Sequence, residues 1–136
     1  MEGVLYLNSK KNILVCVTQQ KTCERLIRKA AKIKANKNMD LFVIHVVKDQ
    51  WKFLDSASEG EALEYLFGIS KSVGANLTVL RSNNIVDTIS EFTIEHNISQ
   101  IFIGQSPNDH SENNFYNELR SILDDVEISV IPQDES

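Results

Sequence analysis

The segment Ile101-Phe102-Ile103-Gly104-Gln105-Ser106-Pro107-Asn108-Asp109-His110 decides how this chain is read. An apolar run stops at a glycine and gives way to small polar residues. Continuous rather than alternating hydrophobicity marks a strand covered on both faces. The break from such a strand into a polar loop is a place where α/β proteins hold phosphate.

Working outward, the same kind of run recurs. Ile13–Val17, Leu41–Val47, Leu77–Leu80, Gln100–Ile103 and Ile128–Ile131 are short, continuous and rich in Val and Ile. Segments of helical period lie between them. Cys23–Ala35 sets Leu26, Ile27, Ala30, Ala31 and Ile33 on one side, with Thr22 as N-cap. Glu59–Val73 follows Ser58-Glu59-Gly60-Glu61, which has capping-box spacing. Its apolar face comprises Ala62, Leu63, Leu66, Phe67 and Val73, and Gly74 suits the position just past its end. Ile85–His96 carries Ile85, Val86, Ile89 and Phe92, with Asn83 or Asn84 as cap and Asn97 as stop. Phe115–Leu123 supplies a last helix through Phe115, Leu119, Ile122 and Leu123.

The resulting order, βαβαβαβαβ, predicts a mainly parallel sheet with right-handed crossovers. We expect one doubly wound α/β domain over residues 1–136. Lys48–Ser58 is the least regular stretch and is expected to be a loop over the strand ends. Its Trp51 and Phe53 either cover a ligand or bury against the domain.

Composition narrows the function classes. With 136 residues and 42% of them hydrophobic, the chain suits a globular domain with an ordinary core. A net charge of −5 and a pI near 5.2 argue against nonspecific binding to nucleic acid or to an anionic membrane surface. The basic residues of Lys21–Lys37 alternate with apolar ones, as on the wet face of an amphipathic helix. No apolar run approaches the roughly 20 residues needed to cross a bilayer. The opening Met1-Glu2-Gly3 does not read as a signal peptide, so a cytoplasmic location is expected. Cys16, inside an apolar run, reads as a small buried hydrophobe, and Cys23 is the other cysteine. The sequons at Asn76 and Asn97 then read as chance matches.

In a doubly wound sheet, ligands bind beyond the carboxyl ends of the strands, where strand order reverses. The first strand runs into Thr18-Gln19-Gln20 and the fourth into Gly104-Gln105-Ser106. If these strands are neighbours, both polar loops flank one crevice. Their amides and hydroxyls can hydrogen-bond a base, a ribose or a peptide, but none is an acid, a base or an activated nucleophile. The sequence has no Gly-x-Gly-x-x-Gly, phosphate-loop lysine, paired-cysteine zinc spacing or Gly-x-Ser-x-Gly. His45 reads either as a satisfied core or crevice imidazole or as a catalytic one. His96 suits a helix C-terminus. Asp109-His110 is a poor chelate, so no metal is expected.

The chain resembles the universal stress protein family over essentially its whole length, and within it the stress-protein-type domain of KdpD potassium-sensor histidine kinases. The residues that carry the resemblance are Ile13–Val17, Glu24–Ala31, Val79–Arg81, Asn84–Ile89 and above all His96–Ser106. It implies a three-layer, Rossmann-like fold with strand order 3-2-1-4-5, akin to adenine nucleotide alpha hydrolases. It also implies homodimers paired through the last strand, Glu127–Ile131. Members that bind ATP carry an acidic residue after the first strand. After the fourth they carry Gly, two residues, Gly, nine residues, then Gly-Ser or Gly-Thr. Here those places hold Thr18, Gly104, Pro107 and Asn117-Glu118. Proline has no N–H to offer a phosphate, and Glu118 sets a carboxylate where a triphosphate would lie. Domains that bind cyclic di-AMP carry Ser-x-Ser and Phe-Thr-Ala-x-Tyr, which fall on Thr18-Gln19-Gln20 and Leu41-Phe42-Val43-Ile44-His45.

The expected ligand-binding residues are therefore Thr18, Gln19, Gln20, His45, Gly104, Gln105, Ser106 and Asn117. The expected function is a regulatory module without catalysis. It would bind an adenine nucleotide (ATP, AMP or cyclic di-AMP) or a protein partner such as a sensor kinase or potassium transporter. The alternative is an ATP-binding protein with slow hydrolysis or transfer, for which Asp109, His110 and Glu118 are the candidates.

Overall fold

A computed structural model describes residues 11–17, 20–34, 38–47, 56–104 and 111–131. Its strands are β1 (Asn12–Cys16), β2 (Leu41–Val47), β3 (Asn76–Arg81), β4 (Ile98–Gly104) and β5 (Glu127–Ile131). The helices between them are α1 (Gln20–Lys34), α2 (Ser56–Ser72), α3 (Ile85–Glu95) and α4 (Ser111–Ile122). The five strands form one parallel sheet in the order β3-β2-β1-β4-β5. Strand order reverses at β1, which has β2 on one side and β4 on the other.

The continuous apolar runs follow from this placement, because side chains alternate between two covered faces. Ile13, Val15 and Val17 enter a core with Leu26, Ile27 and Ala30 of α1 and Leu66 and Ile69 of α2. Leu14 and Cys16 enter the opposite core with Ile89 and Phe92 of α3 and Leu119 of α4. A fully buried aliphatic side chain contributes about 1.5–3 kcal/mol, so β1, buried along its whole length, is the centre of both layers.

The expected strands all form, and three of the expected helices begin earlier than their apolar pattern suggests. Helix α1 starts at Gln20, so Thr22 is inside the helix and not its N-cap. Helix α2 starts at Ser56, which likewise puts Ser58 inside its first turn. Hydrophobic periodicity shows where a helix begins to bury a face, and a polar first turn leaves no such trace in the sequence. The buried stripe of α2 is Leu66, Ile69 and Ser70, with Val73 packed beside it. Phe67 falls about 100° from Leu66 around the helix, is 56% exposed and lies against the Lys71 ammonium. It does not share the buried face. Ile122, 49% exposed, similarly departs from the buried face formed by Leu119 and Leu123.

The turns that close the sheet's amino end obey local chemistry. Gly74 takes φ +73°, and the bonds Gly74 N–H to Lys71 C=O and Ala75 N–H to Ser70 C=O close α2 as a Schellman motif. At the opposite, carboxyl end, after β3, Asn84 caps α3, its side chain accepting from the Asp87 N–H at 3.1 Å. Asn97 stops that helix in the left-handed region at φ +53°. Below β1, the buried Asn12 side chain donates to the His96 carbonyl at 2.8 Å and accepts from the Asp40 N–H at 2.9 Å. His96 stacks on Phe92 at 3.9 Å between ring centroids and lies 4.9 Å from Phe42. It is therefore a packing residue at the end of the sheet remote from the crevice.

Candidate functional site

The register assembles the crevice. Cys16 pairs with Ile103 on β4 and with Ile44 on β2. The residues that follow, Val17 and Gly104, therefore leave the sheet side by side at the reversal point. Val17 stays tied to β2, its N–H donating to the Ile44 carbonyl at 2.9 Å. One residue on, the half-buried His45 brings its Nδ1 to 2.9 Å from the Val17 carbonyl oxygen. A carbonyl only accepts, so Nδ1 carries the hydrogen of that bond.

Of the expected ligand-binding residues, the structure brings His45 and Gly104 to the same end of the sheet, on either side of β1. Gln20 is the first residue of α1, the helix that rises from the β1 side of the crevice. Thr18, Gln19, Gln105 and Ser106 lie outside the described residues, as do Pro107, Asp109, His110, Trp51 and Phe53. Asn117 and Glu118 are exposed and sit about two turns inside α4, because that helix begins at Ser111. Their backbone N–H groups are spent inside the helix, not offered at its N-terminus.

Burial pushes the Cys16 thiol up to about 12, so it stays protonated and inert next to the crevice. Among the described residues no three His, Cys, Asp or Glu side chains come together as a metal site. What sequence reasoning missed is the Val17 carbonyl as the group that orients His45. The pair is 28 residues apart and meets only through the β1–β2 register, which no local pattern announces.

Fold and site together define the class. The family model described as "Universal stress protein family" matches residues 10–116, and the chain belongs to that family. Among curated proteins it is similar to the sensor protein KdpD of Mycobacterium tuberculosis, 24% identical over 99 residues. That match takes in 72% of this chain and 11% of the relative, so the chain spans about a tenth of KdpD's length. Among solved structures it is similar to the hypothetical protein MJ0577, with a TM-score of 0.67 and 15% identity over 94% of this chain and 99% of that one. It is also similar to the universal stress protein from Archaeoglobus fulgidus in complex with dAMP, with a TM-score of 0.61 and 21% identity over 91% and 98% of the two chains. None of the described helices is long and apolar enough to cross a membrane.

Proposed function

We propose that this chain is a regulatory module without catalysis that binds an adenine nucleotide chiefly by its base and ribose end. The observation that carries the reading is the convergence of Val17, His45 and Gly104 at the reversal of strand order. That is the position where α/β sheets hold ligands. The groups there suit a base or a hydroxyl, and Gly104 lets a ligand approach the backbone closely. The dAMP complex of a structural relative supports the same ligand class. Pro107 and Glu118 stand where ATP-binding members carry glycines and a hydroxyl, which disfavours a triphosphate and leaves AMP or cyclic di-AMP. The remaining contacts we assign to Thr18, Gln19, Gln20, Gln105 and Ser106.

Calorimetric titration of the purified chain with AMP, cyclic di-AMP and ATP tests this directly. We expect saturable heat with one of the first two and weaker binding of ATP. Absence of heat and of any thermal shift with all three would remove the nucleotide reading. Release of phosphate or diphosphate with magnesium over hours would contradict the non-catalytic part. In that case Asp109, His110 and Glu118 become the residues to test.

The similarity to KdpD supports a role beside a sensor kinase or a potassium-uptake system, and a cytoplasmic site of action goes with it. Homodimerisation is assigned to β5, an edge strand with Val130 39% exposed. A strand with no further neighbour among the described residues presents a row of backbone donors and acceptors to a second copy.

A further inference from the structure

We infer that the acidic outer face of α3 receives the basic outer face of α1 from a second copy of this chain. The contact needs no nucleotide and follows from how charge is divided over the molecule. Although the whole chain carries a net −5, α1 holds six lysines and arginines against one carboxylate, Glu24. Helix α3 holds three carboxylates, Asp87, Glu91 and Glu95, and no basic residue. Helix α1 packs on one side of the sheet with Ile13, Val15 and Val17, and α3 on the other with Leu14 and Cys16. Helix axes on opposite faces of a sheet lie on the order of 20 Å apart, more than twice the Debye length of about 8 Å at physiological salt. The two sets of charge therefore cannot answer each other within one molecule.

Each set is a ladder with a four-residue repeat. Arg25 and Lys29, half-buried, run along α1 beside Arg28 and Lys32, which are exposed. Asp87, Glu91 and Glu95 repeat in the same way on α3, and all three are exposed. Four residues advance a helix by about 6 Å, so the ladders match in pitch. The bond from Arg28 to Glu24 at 2.9 Å engages the only carboxylate of α1 and leaves its stripe basic. On α3 the stripe works against its own helix. Like charges four residues apart repel, and Glu95 sets a carboxylate at the negative end of the dipole. A lone exposed isoleucine needs no explanation, but Ile94, 73% exposed, lies one turn from Glu91 and next to Glu95. Lysine and arginine stems cover such a side chain while their charged ends reach the carboxylates around it. Two α3 faces cannot pair with each other, because carboxylate would meet carboxylate. The contact is therefore head to tail, which leaves one face of each kind open and lets further copies add. Neither face is the β5 edge, so pairing through β5 leaves both available.

Sedimentation velocity of the full chain over a range of protein concentrations tests the contact. It is run at about 0.1 M and about 1 M salt, where the Debye length is about 10 Å and about 3 Å. The wild type is expected to grow beyond its high-salt size at the lower salt only. Arg28→Glu/Lys32→Glu and Glu91→Lys/Glu95→Lys change exposed residues, so both should stay folded by circular dichroism. Each alone should keep the high-salt size at both salts. Mixed in equal amounts they should associate again, because one keeps the acidic face and the other the basic one. Ile94→Ser should weaken association about tenfold, the value of covering part of one aliphatic side chain, at an unchanged melting temperature. A wild type of one size at both salts would overturn the contact. So would double variants that associate as the wild type does, or a mixture that does not recover. Association lost in Glu91→Lys/Glu95→Lys but kept in Arg28→Glu/Lys32→Glu would give α3 another basic occupant and overturn the part of α1. Unchanged association in Ile94→Ser would overturn the part of Ile94.

Discussion

The two ends of the parallel sheet handle their polar groups in opposite ways. Among the described residues of the amino end, the buried Asn12 and the turn N–H groups are answered from within, although the Ser70 hydroxyl is not. Asn12 bonds the His96 carbonyl and the Asp40 N–H, and Ala75 N–H and Gly74 N–H return to α2. At the carboxyl end, His45 spends one nitrogen on Val17, and its other makes no bond among the described residues. A buried polar group left unpaired is costly, whereas one at a mouth can wait for water or ligand. Satisfaction at one end supplies stability, and incompleteness at the other is what the proposed function would use for binding.

The sharpest way to break this division is Asn12→Ala. The substitution leaves the Asp40 N–H and the His96 carbonyl without their partner in a part-buried position. Each orphaned group costs about 1–3 kcal/mol, so a total of roughly 2–6 kcal/mol is expected in urea unfolding. AMP affinity of the molecules that remain folded should not change. If Asn12→Ala weakened binding while leaving the unfolding midpoint in place, the assignment of stability to one end and binding to the other would be wrong.

Gly74→Ala is the next largest effect at the same end. Nothing crowds the position, since an added Cβ would meet no atom within 4 Å. The cost is conformational alone: at φ +73° an L-residue pays about 1–2 kcal/mol. A melting-temperature loss smaller than that of Asn12→Ala is expected. A Gly74→Asn variant, better tolerated in the left-handed region, should fall between the wild type and alanine.

The same contrast explains how much of the molecule was legible in the sequence. The strands could be read because both faces of β1, β2 and β4 are covered, which makes Ile13–Val17, Leu41–Ile44 and Ile101–Ile103 apolar without interruption. The stops at Gly74 and Asn97 could be read because left-handed backbone narrows the choice of residue. Helix starts could not, since the sequences of the first turns of α1 and α2 carry no apolar pattern and Thr22 and Ser58 imitate caps. Phe67 misled for a related reason, because a hydrophobe with a lysine laid over it need not face the core. The candidate site was read as a pair of loops, Thr18–Gln20 and Gly104–Ser106, on the expectation that β1 and β4 are neighbours; they are, and of those loops Gln20 and Gly104 lie among the described residues. The bond that orients His45 was not, because it exists only when two distant strands are in register. The Asn12 network, joining residues 84 apart, escaped for the same reason.

The smallest expected effect belongs to the carboxyl end. Glu24, one turn into α1, accepts from the Tyr65 hydroxyl at 2.8 Å and from Arg28 Nε at 2.9 Å. The Tyr65 hydrogen bond, then the Arg28 one, holds its carboxyl below the usual glutamate value. A carboxyl depressed in the folded state adds stability above its unfolded pKa, and this is lost as pH falls through the folded value. Since both partners are exposed, water and salt screen the interaction strongly. Tyr65→Phe should therefore leave the melting temperature at acid pH almost unchanged and lower it slightly at neutral pH. The difference between the two pH values should be smaller than the shift from Gly74→Ala. Thermal melts of both proteins on the two sides of the ordinary glutamate pKa read this out. A neutral-pH loss as large as that of Asn12→Ala would mean that the carboxyl end is also built for stability, and that its open groups are not there to receive a ligand.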